Sequence, residues 1–319
     1  MIDSSEQTPR FDKSFTLSLL RRVGLGLLTL WGVSVIAFGL LFLVPTDPAQ
    51  AIAGERANEE TLRNVREKYA LDKPPLTRYA YFLRDVLTND LRSYRNDDKI
   101  MGAIARRFPA TLLLAATGLA LWMIISIPLG LLTARYAGTP LDRTSLVLGL
   151  IAISIPTFWL GRLLQNYLGY KLGLFNVGGG ASLANLPLPA ITLGIGGAAY
   201  YSRLLHANLR GILGQDYIRA ARARGLAERV VLQRHALKNA LIPLITILAM
   251  DIVSLLSGLI FTEVIFGWPG IGSLAINSLK NHDVPMIMGT VMFSALMVVI
   301  AGILVDIAYR VIDPRVRFE

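Results

Sequence analysis

The sequence predicts an all-α integral membrane protein with six transmembrane helices, on three observations. Apolar runs with few or no charges recur along the 319 residues, each near the roughly 20 residues a helix needs to cross a hydrocarbon core about 30 Å thick. Only 17% of the residues are charged and 53% are hydrophobic, whereas a soluble domain carries about 25% charged residues. Finally, Lys and Arg are distributed unevenly between alternate loops, as membrane topology demands.

The first run, residues 23–44, holds no charge and ends at Pro45. Residues 110–134 form a second uncharged span. A third covers 145–168 and is interrupted by Arg162. The fourth, 188–206, is glycine-rich and carries Tyr200 and Tyr201. The fifth, 241–262, contains a single acid, Asp251, and the last, 284–309, is uncharged until Asp306. A charge at the centre of a span costs on the order of 3 kcal/mol. Arg162 and Asp251 are therefore candidates either to line a translocation path and touch a charged substrate, or to pair with each other or with a partner subunit. Asp306 reads as a structural group near the cytoplasmic end, within reach of Arg310.

The loops 1–22, 134–144, 203–240 and 309–319 together hold 17 Lys and Arg against eight acids. The opposite set holds 14 against twelve, and most of those basic residues lie in the long segment 45–108. Because long translocated segments obey the charge rule weakly, the short loops decide, and both termini are expected in the cytoplasm. The chain then divides into a cytoplasmic tail 1–22, a first span 23–44, an extracytoplasmic segment 45–108, a core 109–309 with a cytoplasmic loop 211–240, and a cytoplasmic tail 310–319. Arg21 and Arg22 ahead of an apolar run, with Ala49 and Ala51 behind it, imitate a cleavable signal. The run is longer than the 7–15 residues of a signal's apolar region, so the arginines are read as an anchor.

The segment 45–108 alternates acids and bases. Glu59 and Arg63 stand at i,i+4 spacing, which suits a solvated helix, with Leu62, Val65 and Tyr69 as its apolar stripe. A second helix is expected near 78–87, after Pro74 and Pro75. Trp268, Pro269 and Gly270 read as a rigid turn at the outer interface, where Trp is favoured.

The sequence contains no cysteine, which excludes thiol catalysis and disulfides. Its three histidines, His206, His235 and His282, are scattered. No G-x-x-x-x-G-K-[ST] loop occurs, so ATPase chemistry of that kind is absent. The formal charge of +10 comes without basic patches interleaved with aromatics, so nucleic acid is not expected as a partner. Gly178, Gly179 and Gly180 read as a flexible loop, because no strand precedes them.

The informative stretch is 216–239. Asp216 suits a helix N-cap, residues 217–224 are rich in helix formers, and Gly225 suits a helix terminus that needs φ > 0. A second short helix over 226–239 then leads into the fifth span. The product is a helix–turn–helix knuckle beneath the membrane, with Ala220, Ala221 and Ala223 small enough for close approach. Such an element fits a groove on another protein. A merely basic loop that holds orientation or anionic lipid is the other reading.

This stretch resembles the EAA loop of bacterial ABC-importer permeases, in the form used by the B-type subunits of dipeptide, oligopeptide and nickel systems. Arg219 stands at the Glu position of E-A-A-x-x-x-G, followed by Ala220, Ala221 and Gly225. The Leu-Pro of other importers is replaced by Leu237 and Lys238. The peptide and nickel subfamily shares that departure, with an R-H-x-L-x-N-A run matched here by Arg234, His235, Leu237, Asn239 and Ala240. Further similar stretches follow in order: Leu71, Asp72, Pro74 and Tyr79; Arg107, Phe108 and Pro109; Ile155, Pro156 and Trp159; Glu263 to Gly272; and Asp313, Pro314 and Arg315.

The resemblance implies a type I ABC-importer permease fold and a bacterial inner-membrane location. It also implies a second homologous permease, two cytoplasmic ATPases that hold ATP and Mg, and an extracytoplasmic substrate-binding protein. No cofactor is implied for this chain. Tyr217, Arg219, Ala220, Ala221, Arg222, Gly225, His235 and Asn239 are the expected ATPase-coupling residues. Peptides are the implied cargo, with nickel or a metal–chelator complex as the alternative. A stand-alone ion-coupled carrier would account for Arg162 and Asp251 but would need no knuckle.

Overall fold

The computed structural model describes residues 13–40, 48–54 and 57–312. Asp313, Pro314 and Arg315, the tail residues 1–12 and residues 41–44 of the expected first span lie outside them. Among the described residues the architecture is helical throughout, with one isolated antiparallel bridge between Arg92 and Lys99.

Helix α1 (Lys13–Leu40) starts ten residues ahead of the apolar run and carries straight through Arg21 and Arg22. A short helix α2 (Pro48–Ala53) follows. Helix α3 (Glu59–Lys68) is capped by the Asn58 side chain, which accepts the Thr61 N–H at 2.9 Å. It buries Leu62 and half-buries Val65 and Tyr69, the expected stripe. Helix α4 (Pro75–Leu87) begins with proline, whose missing N–H is no loss in a first turn. It packs on α1 through Phe38 against Tyr79 and a 2.7 Å hydrogen bond between Ser34 and the Tyr79 hydroxyl.

Helix α5 (Ile100–Arg135) begins well before residue 110, so Pro109 lies inside it and does not open it. The third expected span is not one helix. It comprises α6 (Pro140–Ser154) and α7 (Thr157–Leu164), the latter continued by a π-helical stretch Gln165–Lys171, with a 99° bend between the two parts. The cause is Pro156, which has no N–H to continue the ladder and forces Ile155 into extended backbone at φ −75°, ψ 123°.

Helix α8 (Pro187–Leu213) extends seven residues past the expected end of the fourth span. Then come α9 (Asp216–Ala223), a single turn α10 (Glu228–Val230) and a π-helical turn Val231–Ala236 that merges into α11 (Leu237–Gly258). Two shorter helices, α12 (Ile260–Ile265) and α13 (Ile271–Lys280), precede the final α14 (Val284–Ile312).

Among the described residues, three helices are long and apolar enough to cross a bilayer unaided: Leu20–Leu40 of α1, α5, and Val284–Ile307 of α14. The bent α6–α7 pair makes a fourth if counted as one span. Helices α8 and α11 have 27 and 22 residues, about 40 and 33 Å at 1.5 Å per residue.

The largest helix–helix contact joins α5 and α8, and glycines make it close. A Cβ at Gly130 would come within 2.9 Å of Leu205, one at Gly118 within 3.2 Å of Leu193, and one at Gly197 would land on the Trp122 indole. Lipid gives no hydrophobic drive between helices, so backbone proximity of this kind is what holds them. Gly26 plays the same part where α1 meets Val299 of α14. Arg22 of α1 forms an ion pair with Asp306 of α14, so Asp306 has the structural role expected of it with a different partner; the Arg310 side chain lies outside those described.

Candidate functional site

The knuckle hangs between α8 and α11. Gln215, not Asp216, occupies the N-cap of α9, with extended backbone at φ −79°, ψ 154°. Asp216 is the first helical residue, where its charge complements the helix dipole. It pairs at 3.3 Å with Arg219, which also donates to the Gly214 carbonyl at 3.1 Å. Gly225 takes φ +77°, as the turn requires, since a side chain is penalised in that region.

Helical spacing divides α9 into two faces. Ile218 and Ala221 point inward and join a buried cluster with Tyr201, Leu205, Leu209, Val231, Ala236 and Leu244. Tyr217, Arg219, Ala220 and Arg222 are exposed, as are Gly225 and Asn239, while His235 is half-buried. Of the small residues, Ala221 therefore lets the knuckle approach its own chain, whereas Ala220 and Ala223 leave the outer face flat.

Two side-chain staples close the knuckle. Arg222 grips Glu228 across Gly225 through two hydrogen bonds of 3.1 and 2.7 Å. Those bonds hold the Glu228 carboxyl below its usual pKa and raise that of Arg222. Asn239 donates from Nδ2 to the Tyr217 hydroxyl at 2.9 Å, tying the start of α9 to the start of α11. Glu228 carried no expectation from the sequence, although an acid six residues after Arg222 across a turn glycine was a readable signal.

The two charged candidates of the expected spans separate. Arg162 donates to Gln165 Oε1 at 2.8 Å, and Gln165 in turn donates to the Val177 carbonyl at 2.8 Å. Asp251 accepts from the Tyr201 hydroxyl at 2.7 Å. The two therefore do not pair with each other, because each has its own partner. Nothing in the sequence announces the Tyr201–Asp251 bond, which spans 50 positions.

At the other end of α11 a buried latch forms around Glu263, which is fully enclosed. Thr111 donates to its Oε1 at 2.7 Å and the Ser273 N–H to its Oε2 at 2.9 Å. Thr111 also accepts the Ile271 N–H at 2.9 Å. The Trp268 indole is buried and donates to the Ala110 carbonyl at 2.8 Å. The Trp268 turn is thus architectural, as its sequence suggested. Between α5, α6 and α8, buried Asp142 accepts the Gly138 N–H at 2.8 Å and lies 3.6 Å from His206, which also contacts Thr133 at 3.2 Å.

The chain matches two family patterns: the binding-protein-dependent transport system inner membrane component over residues 126–318, and the N-terminal part of such membrane components over 15–115. It is 32% identical over 334 aligned residues to the dipeptide transport system permease protein DppB of Escherichia coli strain K12, covering 94% of this chain and 98% of that one. It is 33% identical over 312 residues to the oligopeptide transport system permease protein AppB of Bacillus subtilis strain 168, covering 94% and 99%. The glutathione transport system permease protein GsiC of Escherichia coli strain K12 is 33% identical over 297 residues, covering 92% and 97%. Among solved structures, an inward-facing MetNI methionine ABC transporter chain superposes with a TM-score of 0.57 at 19% identity, over 67% of this chain and 98% of that one. A chain of an amino acid ABC transporter crystallised with histidines gives 0.52 at 15%, over 66% and 94%. The chain therefore belongs to the family of binding-protein-dependent transport system inner membrane components, the permease subunits of ABC importers.

Proposed function

We propose that this permease forms half of the translocation pathway for small peptides and couples it to ATP hydrolysis through residues 216–239. Its partners are a second homologous permease, two cytoplasmic ATPases that hold ATP and Mg, and an extracytoplasmic binding protein. The chain crosses the bacterial inner membrane six times with both termini in the cytoplasm. The bent α6–α7 pair serves as one crossing and the region around α3 and α4 lies outside. Arg162 and Asp251 face the pathway, where water or a partner, not lipid, meets their charge.

The observation that carries this is the two-faced knuckle. Ile218 and Ala221 root it in the cluster shared with α8 and α11, while Tyr217, Ala220, Arg222 and Gly225 remain outside for a partner. A push on the exposed face is transmitted to α11 without a hinge, because the π-helical turn runs directly into it. The names of the similar permeases, which cite dipeptide, oligopeptide and glutathione transport, support peptides as the cargo.

The test is to purify tagged chain from native membranes and assay the recovered complex for ATP hydrolysis. Recovery with a second permease and ATPases, and activity stimulated by a binding protein, is the expected result. Recovery of the chain alone, transporting on an ion gradient, would overturn it.

A further inference from the structure

Asp251 is a carboxylate with unusual surroundings. It is the fifteenth residue of α11, about 21 Å from that helix's start, and Tyr201 is the fifteenth of α8. The two meet near the middle of both helices. The Tyr201 hydroxyl occupies Oδ2 at 2.7 Å. Oδ1 has no protein partner among the described residues. No Lys, Arg or His among those residues pairs with Asp251.

Aromatic rings stand around Tyr201 and hold it in place. Trp122 stacks on Tyr201 at 5.7 Å between ring centroids and 26° between planes, and Tyr200 stands edge-on to Tyr201 at 5.4 Å. The indole is pinned by its 2.7 Å bond to the Leu193 carbonyl and seated over Gly197, where any side chain would displace it. Tyr200 remains 44% exposed.

A carboxylate within an apolar helix faces a partner, a cavity or a pathway and not lipid. With one oxygen held in place and the other without a protein partner among the described residues, the chemistry suits a compact cation with several donors. A divalent metal would need several further oxygen or nitrogen ligands, and none gather here among the described residues. We infer that Asp251, fixed by Tyr201, is a cation subsite on the pathway that takes the ammonium group of a passing peptide. The subsite rests on the peptide-importer reading above, and it adds a contact made after the binding protein has released its cargo.

The test uses the full complex in proteoliposomes, with its binding protein and labelled dialanine as probe, measuring uptake and ATP hydrolysis in parallel. Asp251→Asn keeps the bond from the Tyr201 hydroxyl and removes only the charge. Dialanine delivered per ATP is expected to fall about tenfold (about 1.4 kcal/mol), with binding-protein-stimulated hydrolysis retained. Asp251→Glu should restore most of the uptake, and Tyr201→Phe should show a smaller loss than Asp251→Asn. Unchanged coupling in Asp251→Asn would overturn the subsite. So would loss of uptake and hydrolysis together in both Asp251→Asn and Asp251→Glu, which would make the residue a brace. If the wild-type complex hydrolyses ATP on stimulation but imports no dialanine, the peptide reading fails at its own step and the ammonium subsite fails with it.

Discussion

The two ends of α11 are held by opposite means. At one end, the knuckle is stapled by exposed pairs, Arg222 with Glu228 and Asn239 with Tyr217, above an apolar root of Ile218 and Ala221. Beyond the other end, the Glu263 latch is buried throughout, joining Thr111, Ser273 and the Trp268 turn to α5. Exposed ion pairs contribute little, because water competes for both partners. Buried polar networks are costly to disturb, because no water replaces a lost bond. One end of the helix is thus locked to its own chain, while the other presents a shaped surface whose polar groups are free to exchange partners. A rod fixed at one end and graspable at the other suits the transmission of movement.

Damage to the latch should exceed damage to the knuckle. Trp268→Ala empties a buried indole site and orphans the Ala110 contact, and is expected to destabilise by about 3–5 kcal/mol. Thermal unfolding of detergent-purified protein should show a large drop in Tm; a shift within error would mean the latch is not the lock. Next in size is Ala221→Asp, which places a carboxylate in the apolar root at about 3 kcal/mol and should release ATPase from the purified complex. Ala220→Asp, one position away on the exposed face, should leave Tm unchanged and affect only ATPase recovery. Equal effects of both on Tm would erase the distinction between root and face.

Gly225→Val forces a β-branched residue to φ +77°, costing about 1–2 kcal/mol. Because a Cβ there meets nothing within 4 Å, the penalty is conformational, and Gly225→Asn should be milder in the same melting assay. The smallest effect belongs to the Arg222–Glu228 staple. A double-mutant cycle with alanine should give a coupling below about 1 kcal/mol. The depressed carboxyl of Glu228 fixes the sign with pH. The coupling is complete above the ordinary glutamate pKa and is lost as pH falls through the lowered value. A coupling that grew on acidification would exclude the ion pair as its source.

Much of the helical plan was legible because lipid imposes it. Apolar runs must be helices to satisfy their own backbone, and α3, α4, α9 and α14 fall close to where pattern and capping residues put them. Gly225 was legible because one backbone conformation favours one residue type. Less legible were the helix starts. Helix α5 begins at Ile100, inside a polar stretch, because Ile100, Ala103 and Ile104 pack against Ile271 and Met286. The bend within 145–168 was not legible from hydropathy either, since Pro156 bends the chain without changing its apolar character.

The chain's own residues determined that it is helical and apolar, that it lacks a P-loop, and that residues 216–239 form a turn-centred knuckle. These are local properties, set by propensity, periodicity and charge. Which face of α9 turns inward, where α6 and α7 point, and what meets Asp251 were decided only in three dimensions. Each depends on groups far apart in the chain, such as Tyr201 and Asp251 or Thr111 and Glu263. Their meeting follows from how glycine-lined helices pack, a relation that no window of sequence contains.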